Sequence, residues 1–361
     1  MPIPAIVNRA GAWFLDSGIQ EPVGGVARYY RRDLEENHLI STEITGYGIS
    51  TFLYLHALTH QDAYLAAARK AGAYLVRTAW DMNARAFPFE RSVYDPQPQP
   101  LAFFFDSGII IRGLLWLHRA TRDTELLEVA AACGRAMAAD FAAGSEFHPT
   151  LALPAKTPVP RDTRWSRMPG CYQLKGALGW QELFEATGDK QFDAWYEQAL
   201  ALALDSHASF LPGSTDPQAV MDRLHPYCYF LEGLLPRLYQ HRPAAVLREG
   251  IARVGESLRR FAPEFVRSDV YAQLLRLRLY AEAAGAAPVD RLAAEWEARQ
   301  LIEFAIESLD SRIHGGFHFG RRGGDWLPHV SPASTAFALQ ALTMWRQYSS
   351  GELRAAYQML I

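Results

Sequence analysis

The sequence predicts an all-α protein, an (α/α)6 toroid of six inner and six outer helices with its long loops on one face, built as a single domain over residues 1–361. Three observations carry this prediction: a weak six-fold repeat of apolar helical segments, their alternation with one-sided amphipathic segments, and a consistent inequality in the lengths of the connections.

The repeat comprises residues 46–58 (GYGISTFLYLHAL), 107–120 (SGIIIRGLLWLHRA), 172–185 (YQLKGALGWQELFE), 229–239 (YFLEGLLPRLY), 271–285 (YAQLLRLRLYAEAAG) and 335–348 (TAFALQALTMWRQY). Each is apolar over much of its circumference, the pattern of a helix buried on all sides. Gly113, Gly176, Gly179 and Gly233 stand in these segments where a neighbouring backbone can approach, and Trp116, Trp180 and Trp345 read as core.

The first five segments are each followed by a second helix carrying a single apolar stripe, as in residues 62–80, 123–141 and 190–207. Asp or Thr stands near the start of these helices, where a cap is wanted. Residues 4–17 supply the remaining outer helix, and residues 351–361 are left as a short terminal helix.

Connections from inner to outer helix are short (THQ, TRD, TGD, QHR). Those returning are mostly long and rich in Gly, Pro and aromatics: residues 18–42, 81–105, 143–169, 209–225 and 310–332. Alternation around a closed ring puts every long loop on the same face, and loops gathered on a rigid scaffold are where function usually sits. The phrases GGVARYY, FPFER and GGFHFG inside those loops read as short strands rimming that face. An open solenoid is the alternative, but its repeats are usually more regular in length.

Composition narrows the function classes. Half the chain, 49%, is apolar, enough for a substantial core, and 36 Lys and Arg balance 39 Asp and Glu. That balance provides no basic face for nucleic acid or an anionic membrane. No run of about 18 apolar residues occurs and the first residues do not read as a signal peptide, so a soluble, cytoplasmic protein is expected. Three cysteines, Cys133, Cys171 and Cys228, suit a reducing compartment better than a disulfide framework. The oligomeric state is open, a homo-oligomer included. No GxGxxG, Walker loop or GxSxG appears, which removes the usual support for nucleotide-dependent and serine-hydrolase chemistry.

The residues heading the inner helices converge on the working face of such a ring. They include Glu43 and Tyr47; Asp106 behind three phenylalanines; Arg164, Trp165, Arg167 and Tyr172; Asp222, His225, Tyr227 and Tyr229; Arg267 and Asp269; and His329, with Glu90 and His318 in the loops. Aromatic faces with convergent polar groups suit a sugar, and arginines with helix N-termini favour an anionic one such as a uronate. Glycoside cleavage needs two carboxyl groups: Asp106 in its apolar setting reads as the acid, with Glu43, Asp222, Asp269 and Glu90 as rivals for the second role. Each acid, taken singly, also reads as a helix cap or first-turn charge. Histidine with tyrosine is the alternative chemistry, that of an epimerase or lyase. Cys171, Cys228 and His225 lack the spacing of a zinc site, so no metal or other cofactor is expected.

Six hairpins with loops on one face resemble the six-hairpin glycosidase-like superfamily, which includes unsaturated glucuronyl hydrolases, N-acylglucosamine 2-epimerases and, more loosely, the helical part of glucuronyl C5-epimerases. As motif, the resemblance rests on TEITGYGISTFLYL (42–55) and FFFDSGIIIRGLLWLHRATRD (103–123). By resemblance to the hydrolases Asp106 is the acid, and by resemblance to the 2-epimerases His225 and His329 are the histidine pair. The expectation is therefore a glycoside hydrolase acting on a uronate-containing oligo- or polysaccharide, with an epimerase or lyase, or a non-catalytic glycan- or protein-binding toroid, as alternatives.

Overall fold

The computed structural model describes residues 2–91, 99–211, 213 and 215–361. Among them are helices α1 (Ile3–Asp16), α2 (Thr42–Thr59), α3 (Asp62–Tyr74), α4 (Phe104–Thr121), α5 (Thr124–Asp140) and α6 (Gln173–Thr187). They continue with α7 (Lys190–Ser206), α8 (Pro217–Gly233), α9 (His241–Phe261), α10 (Ser268–Ala283), α11 (Arg291–Ile302) and α12 (Pro332–Ser349). The Cα positions group into two compact units, Gln20–Arg28 with Leu39–His207, and Met1–Ile19 with Tyr29–His38 and Ala208–Ile361.

In the first unit α2, α4 and α6 pack side by side, and α3, α5 and α7 back onto them. The apolar repeat explains the close packing. A Cβ on Gly113 would come within 2.7 Å of the Gly46 carbonyl oxygen, and one on Gly108 would collide with the Gly176 backbone. Trp180 is fully buried, its indole N–H donating to the Gly134 carbonyl at 2.9 Å.

The three turns from inner to outer helix in this unit repeat one chemical device. Thr59, Thr121 and Thr187 each donate a hydroxyl to the carbonyl four residues back, at 2.8, 2.8 and 2.7 Å, and accept the amide two residues on. The residue between, His60, Arg122 or Gly188, is left-handed with φ of 58°, 62° and 73°. Asp123 and Asp189 then cap the following helix through their side chains.

Short strands rim the helix heads, as the loop phrases predict. Val26–Ala27, Ile40–Ser41 and Glu90–Arg91 form one antiparallel sheet, with Ser41 opposite both Val26 and Glu90. Leu101–Phe103 pairs with Thr150–Ala152, which pairs with Thr157–Pro158.

In the second unit α8, α10 and α12 pack together, backed by α9, α11 and α1. Phe265–Arg267 pairs with Gly320–Arg322, and Tyr30–Arg31 lies between His329–Val330 and Glu36–Asn37.

Two sequence expectations are corrected here. The fourth inner helix is α8, beginning at Pro217 and ending at Gly233 rather than spanning 229–239. Asp216 accepts the amides of Gln218 and Ala219, and Pro217 fits the first helical turn, so the helix starts inside the stretch read as a loop. The chain end forms only a 3-10 turn, Tyr357–Met359. Among the described residues no helix is long and apolar enough to cross a membrane.

Candidate active site

The Val26–Ala27, Ile40–Ser41, Glu90–Arg91 sheet gathers three charged residues far apart in the chain. Arg28 follows the first strand, Glu43 is the second residue of α2 directly after the second, and Glu90 opens the third. Arg28 Nη1 lies 3.0 Å from Glu90 Oε1, and its guanidinium stands 5.0 Å over the Phe89 ring. Phe89 packs at 5.0 Å on Phe103, the residue before α4.

The first turn of α4 carries Asp106, 7% exposed, behind the buried rings of Phe104 and Phe105. It is not a cap: the N-cap residue is Phe103, and Asp106 Oδ2 is buried with no hydrogen-bond partner among the described residues. Burial foremost, then the neighbouring Glu43, push its carboxyl well above the usual range, with Glu90 adding to the shift and Arg28 opposing it. Glu43, half-buried, is pushed up to about 7, again by burial first, with Arg28 and Lys175 pulling it down and Glu90 pushing it up. Two carboxyl groups that interact this strongly titrate as a pair.

Lys175, the third residue of α6, is wholly buried, with its Nζ 5.2 Å from the centre of the Tyr47 ring. Tyr47 lies one helical turn after Glu43, so it shares the same face of α2.

An aromatic rim borders the acids. The Trp165 ring meets Tyr172 edge-on at 5.0 Å, and Tyr172 lies 6.2 Å from Phe105. The Arg167 guanidinium stands 5.6 Å over Phe103, and its buried Nη1 has no hydrogen-bond partner among the described residues. Arg164, expected in the site, turns instead to Asp162, with Nε 2.9 Å from Oδ2. It is largely exposed there, because Asp162 lies within reach on the same loop.

The second unit holds the other candidates. His225 Nδ1 is 2.8 Å from Gln273 Oε1 and 3.4 Å from Asp269 Oδ2. Both are acceptors, so Nδ1 carries the proton and Nε2 the lone pair. Burial foremost drives His225 down to about 4, opposed by Asp269, so the ring is neutral at pH 7. Arg267 grips Asp269 with two hydrogen bonds of 3.0 and 2.6 Å and stands 4.6 Å over Phe319. Burial would raise the Asp269 carboxyl, but Arg267 and then His225 overcome this and hold it below its ordinary value. Tyr229 packs on His225 at 4.4 Å.

Asp222 sits inside α8, accepting from Gln218 Nε2 at 2.9 Å and lying 3.6 Å from Arg267 Nη1, so it does not head the helix as expected. Tyr227 is also misplaced by the sequence reading. Two residues from His225, it turns off that face of α8 and packs between Phe210 and Phe230 near Arg253 of α9.

His318 stacks on Trp326 at 4.3 Å and is driven to about 4 by burial first and then Arg32, whose Nη1 lies 3.5 Å away. His329 meets the Tyr29 ring edge-on at 4.8 Å. Cys171 and Cys228 are buried thiols in different units, and burial raises Cys228 well above its ordinary value. Among the described residues no group of three His, Cys, Asp or Glu side chains could hold a metal ion.

Arg28 and Lys175 were not singled out from the sequence. A lone lysine inside an otherwise apolar inner helix was the available signal for Lys175; for Arg28 there was none short of the strand pairing.

No family model and no curated protein sequence matches the chain. Solved structures do, and what they share with this chain is the fold, the (α/α)6 toroid that the sequence predicts. The cellobiose 2-epimerase of Spirochaeta thermophila superposes with a TM-score of 0.74 at 14% identity over 96% of each chain. A D-mannose isomerase gives 0.70 at 11% over 96% of this chain and 97% of that one. The unsaturated glucuronyl hydrolase of Bacillus sp. GL1 gives 0.65 at 12% over 97% of each. At these identities the likeness is one of fold.

Proposed function

We propose that the chain is a carbohydrate-active enzyme, a glycoside hydrolase acting on a uronic-acid-containing oligo- or polysaccharide, with Asp106 as the acid and Glu43 as the second carboxylate. The observation that carries this reading is the buried pair itself: Asp106, its Oδ2 without a hydrogen-bond partner among the described residues, is raised well above the usual carboxyl range by burial and then by Glu43, and Glu43 is pushed up to about 7.

In the reaction, Asp106 gives its proton to the leaving oxygen as the glycosidic bond breaks. Ionised Glu43 takes a proton from water, whose oxygen bonds to the anomeric carbon. Glu90, paired with Arg28, keeps that arginine in place. The half-buried Trp165 ring, edged by Tyr172, offers an apolar face to the sugar, and Arg167 offers N–H donors to its carboxylate. The likeness to a glucuronyl hydrolase agrees with this substrate class. Three free buried thiols agree with the expected cytoplasmic setting.

The test is the pH dependence of kcat/KM on uronate-containing oligosaccharides, with Asp106→Asn and Glu43→Gln alongside. Cleavage rises with pH through about 7 as Glu43 ionises. An Asp106→Asn protein that cleaves at the wild-type rate refutes the assignment.

A second reading, a sugar epimerase or isomerase, is favoured by His225. Its neutral ring presents Nε2 as a base, and the likeness to a 2-epimerase and an isomerase agrees with it. Deuterium uptake at a ring carbon without bond cleavage would establish that reading in place of the first.

A further inference from the structure

Gln273, in the buried part of α10, uses only half of its amide. The residue is wholly buried, and its Oε1 accepts from His225 Nδ1 at 2.8 Å. Its Nε2 has no hydrogen-bond partner among the described residues. Asp269 Oδ2, 3.4 Å from the same Nδ1, makes that nitrogen the protonated one, so turning the amide over would set one N–H donor against another. A buried donor left unpaired is costly, and native structures keep few of them without a ligand or a water. The charged groups around it are engaged. Arg267 holds Asp269 with bonds of 3.0 and 2.6 Å, and Arg276 holds Glu232 and Gln340 at 2.5 and 2.9 Å.

The surroundings decide which ligand that donor fits. His225 and Arg267 each retain a small exposed edge, so the centre lies just beneath the surface. Asp222, 3.6 Å from Arg267 Nη1, has a side chain 40% exposed. Two carboxylates, Asp222 and Asp269, thus face one guanidinium beside a neutral imidazole, and the cluster is net negative. The first turn of α10, where the helix dipole favours an anion, is already filled by Asp269. A carboxylate or phosphate is repelled from such a place. A hydroxyl or carbonyl oxygen accepts from the amide without that penalty, and an uncharged sugar carries several.

We infer that the α8–α10 centre binds an uncharged sugar, with the carbonyl of Gln273 holding His225 and its amide N–H donating to a hydroxyl or carbonyl oxygen of the ligand. The inference goes beyond the hydrolase reading, whose acids lie in the other unit, and rests on neither assignment of the reaction. It makes Gln273 a specificity-determining residue. A ligand lacking the oxygen leaves the donor unpaired, and a uronate meets the negative charge of Asp222 and Asp269.

The test reads the amide itself, by nitrogen NMR of protein labelled at its glutamine amides and histidine rings, the two signals being those lost in Gln273→Met and His225→Phe. The probes are D-glucose, D-mannose and D-glucuronate. Titration with a neutral sugar shifts the Gln273 signal to saturation, and glucuronate leaves it in place. Gln273→Met, which fills the space without a donor, binds the neutral sugar about threefold to tenfold more weakly, as read at the His225 ring. Gln273→Glu still accepts from His225 Nδ1 but has no N–H, and gives the same loss should the methionine variant not fold. A Gln273 signal indifferent to both neutral sugars, as when the amide holds only a buried water, overturns the inference. So does a signal that glucuronate moves as strongly, or a folded variant that binds the neutral sugar as wild type does. A shifted signal with no turnover of either sugar leaves the site in place and counts against the epimerase reading alone.

Discussion

Glu43→Gln is expected to stabilise the protein while destroying its chemistry, and the magnitude follows from the site. The Glu43 carboxyl lies near 7 in the folded chain against an ordinary 4.5, with burial as the main cause. Because the folded value is the higher one, the folded state holds the proton more tightly. Its stabilising share is complete below about 4.5 and is lost as pH rises to about 7. At about 1.4 kcal/mol per pH unit the difference amounts to roughly 3 kcal/mol at pH 8. Partial exposure of Glu43 and its coupling to Asp106 reduce the expected gain to about 1–3 kcal/mol. Glutamine keeps the shape and carries no charge. With an unfolding entropy of about 2.1 cal/mol/K per residue, the variant melts about 1–4 °C higher at pH 8, and the gain shrinks toward zero at pH 5. Circular-dichroism melts of both proteins at the two pH values check this. A variant less stable than wild type at pH 8, or a gain indifferent to pH, would sink the reasoning.

Other outcomes follow from the same structure. Asp106→Asn lowers turnover by about 10²–10⁴-fold, and its melting temperature does not fall, since a neutral amide replaces a carboxyl whose neutral form burial favours; steady-state kinetics and melts measure both. Glu182→Gln removes the buried carboxylate that Arg112 and Arg119 both hold and costs about 3–5 kcal/mol in urea unfolding. Arg122→Gly relieves a left-handed backbone at φ 62° and stabilises the fold by about 0.5–1 kcal/mol in the same assay, whereas Gly188→Ala destabilises it.

What was legible in the sequence is what local chemistry encodes. The TRD and TGD turns announce themselves because the threonine hydroxyl, the left-handed residue and the capping aspartate all lie within three positions. Asp106 was legible because burial follows from the phenylalanines beside it. Asp222 and Tyr227 were misplaced because the apolar run after Tyr229 concealed the helix start at Asp216 and Pro217, and a shifted start turns residues onto other faces. Arg28 was missed because only the pairing of Val26–Ala27 with Ile40–Ser41, and of that strand with Glu90–Arg91, brings it to Glu90. Helical periodicity is blind to such contacts. The grip of Gln273 on His225 joins α8 to α10 and is likewise a product of packing.

Proton NMR in deuterated water, with a panel of neutral and uronate-containing oligosaccharides, tests the central claim most directly. The account predicts new anomeric signals from a freed reducing end on a uronate-containing substrate, present with wild type and lost with Asp106→Asn. Deuterium entering a ring carbon with no new reducing end, undiminished in Asp106→Asn, would contradict it.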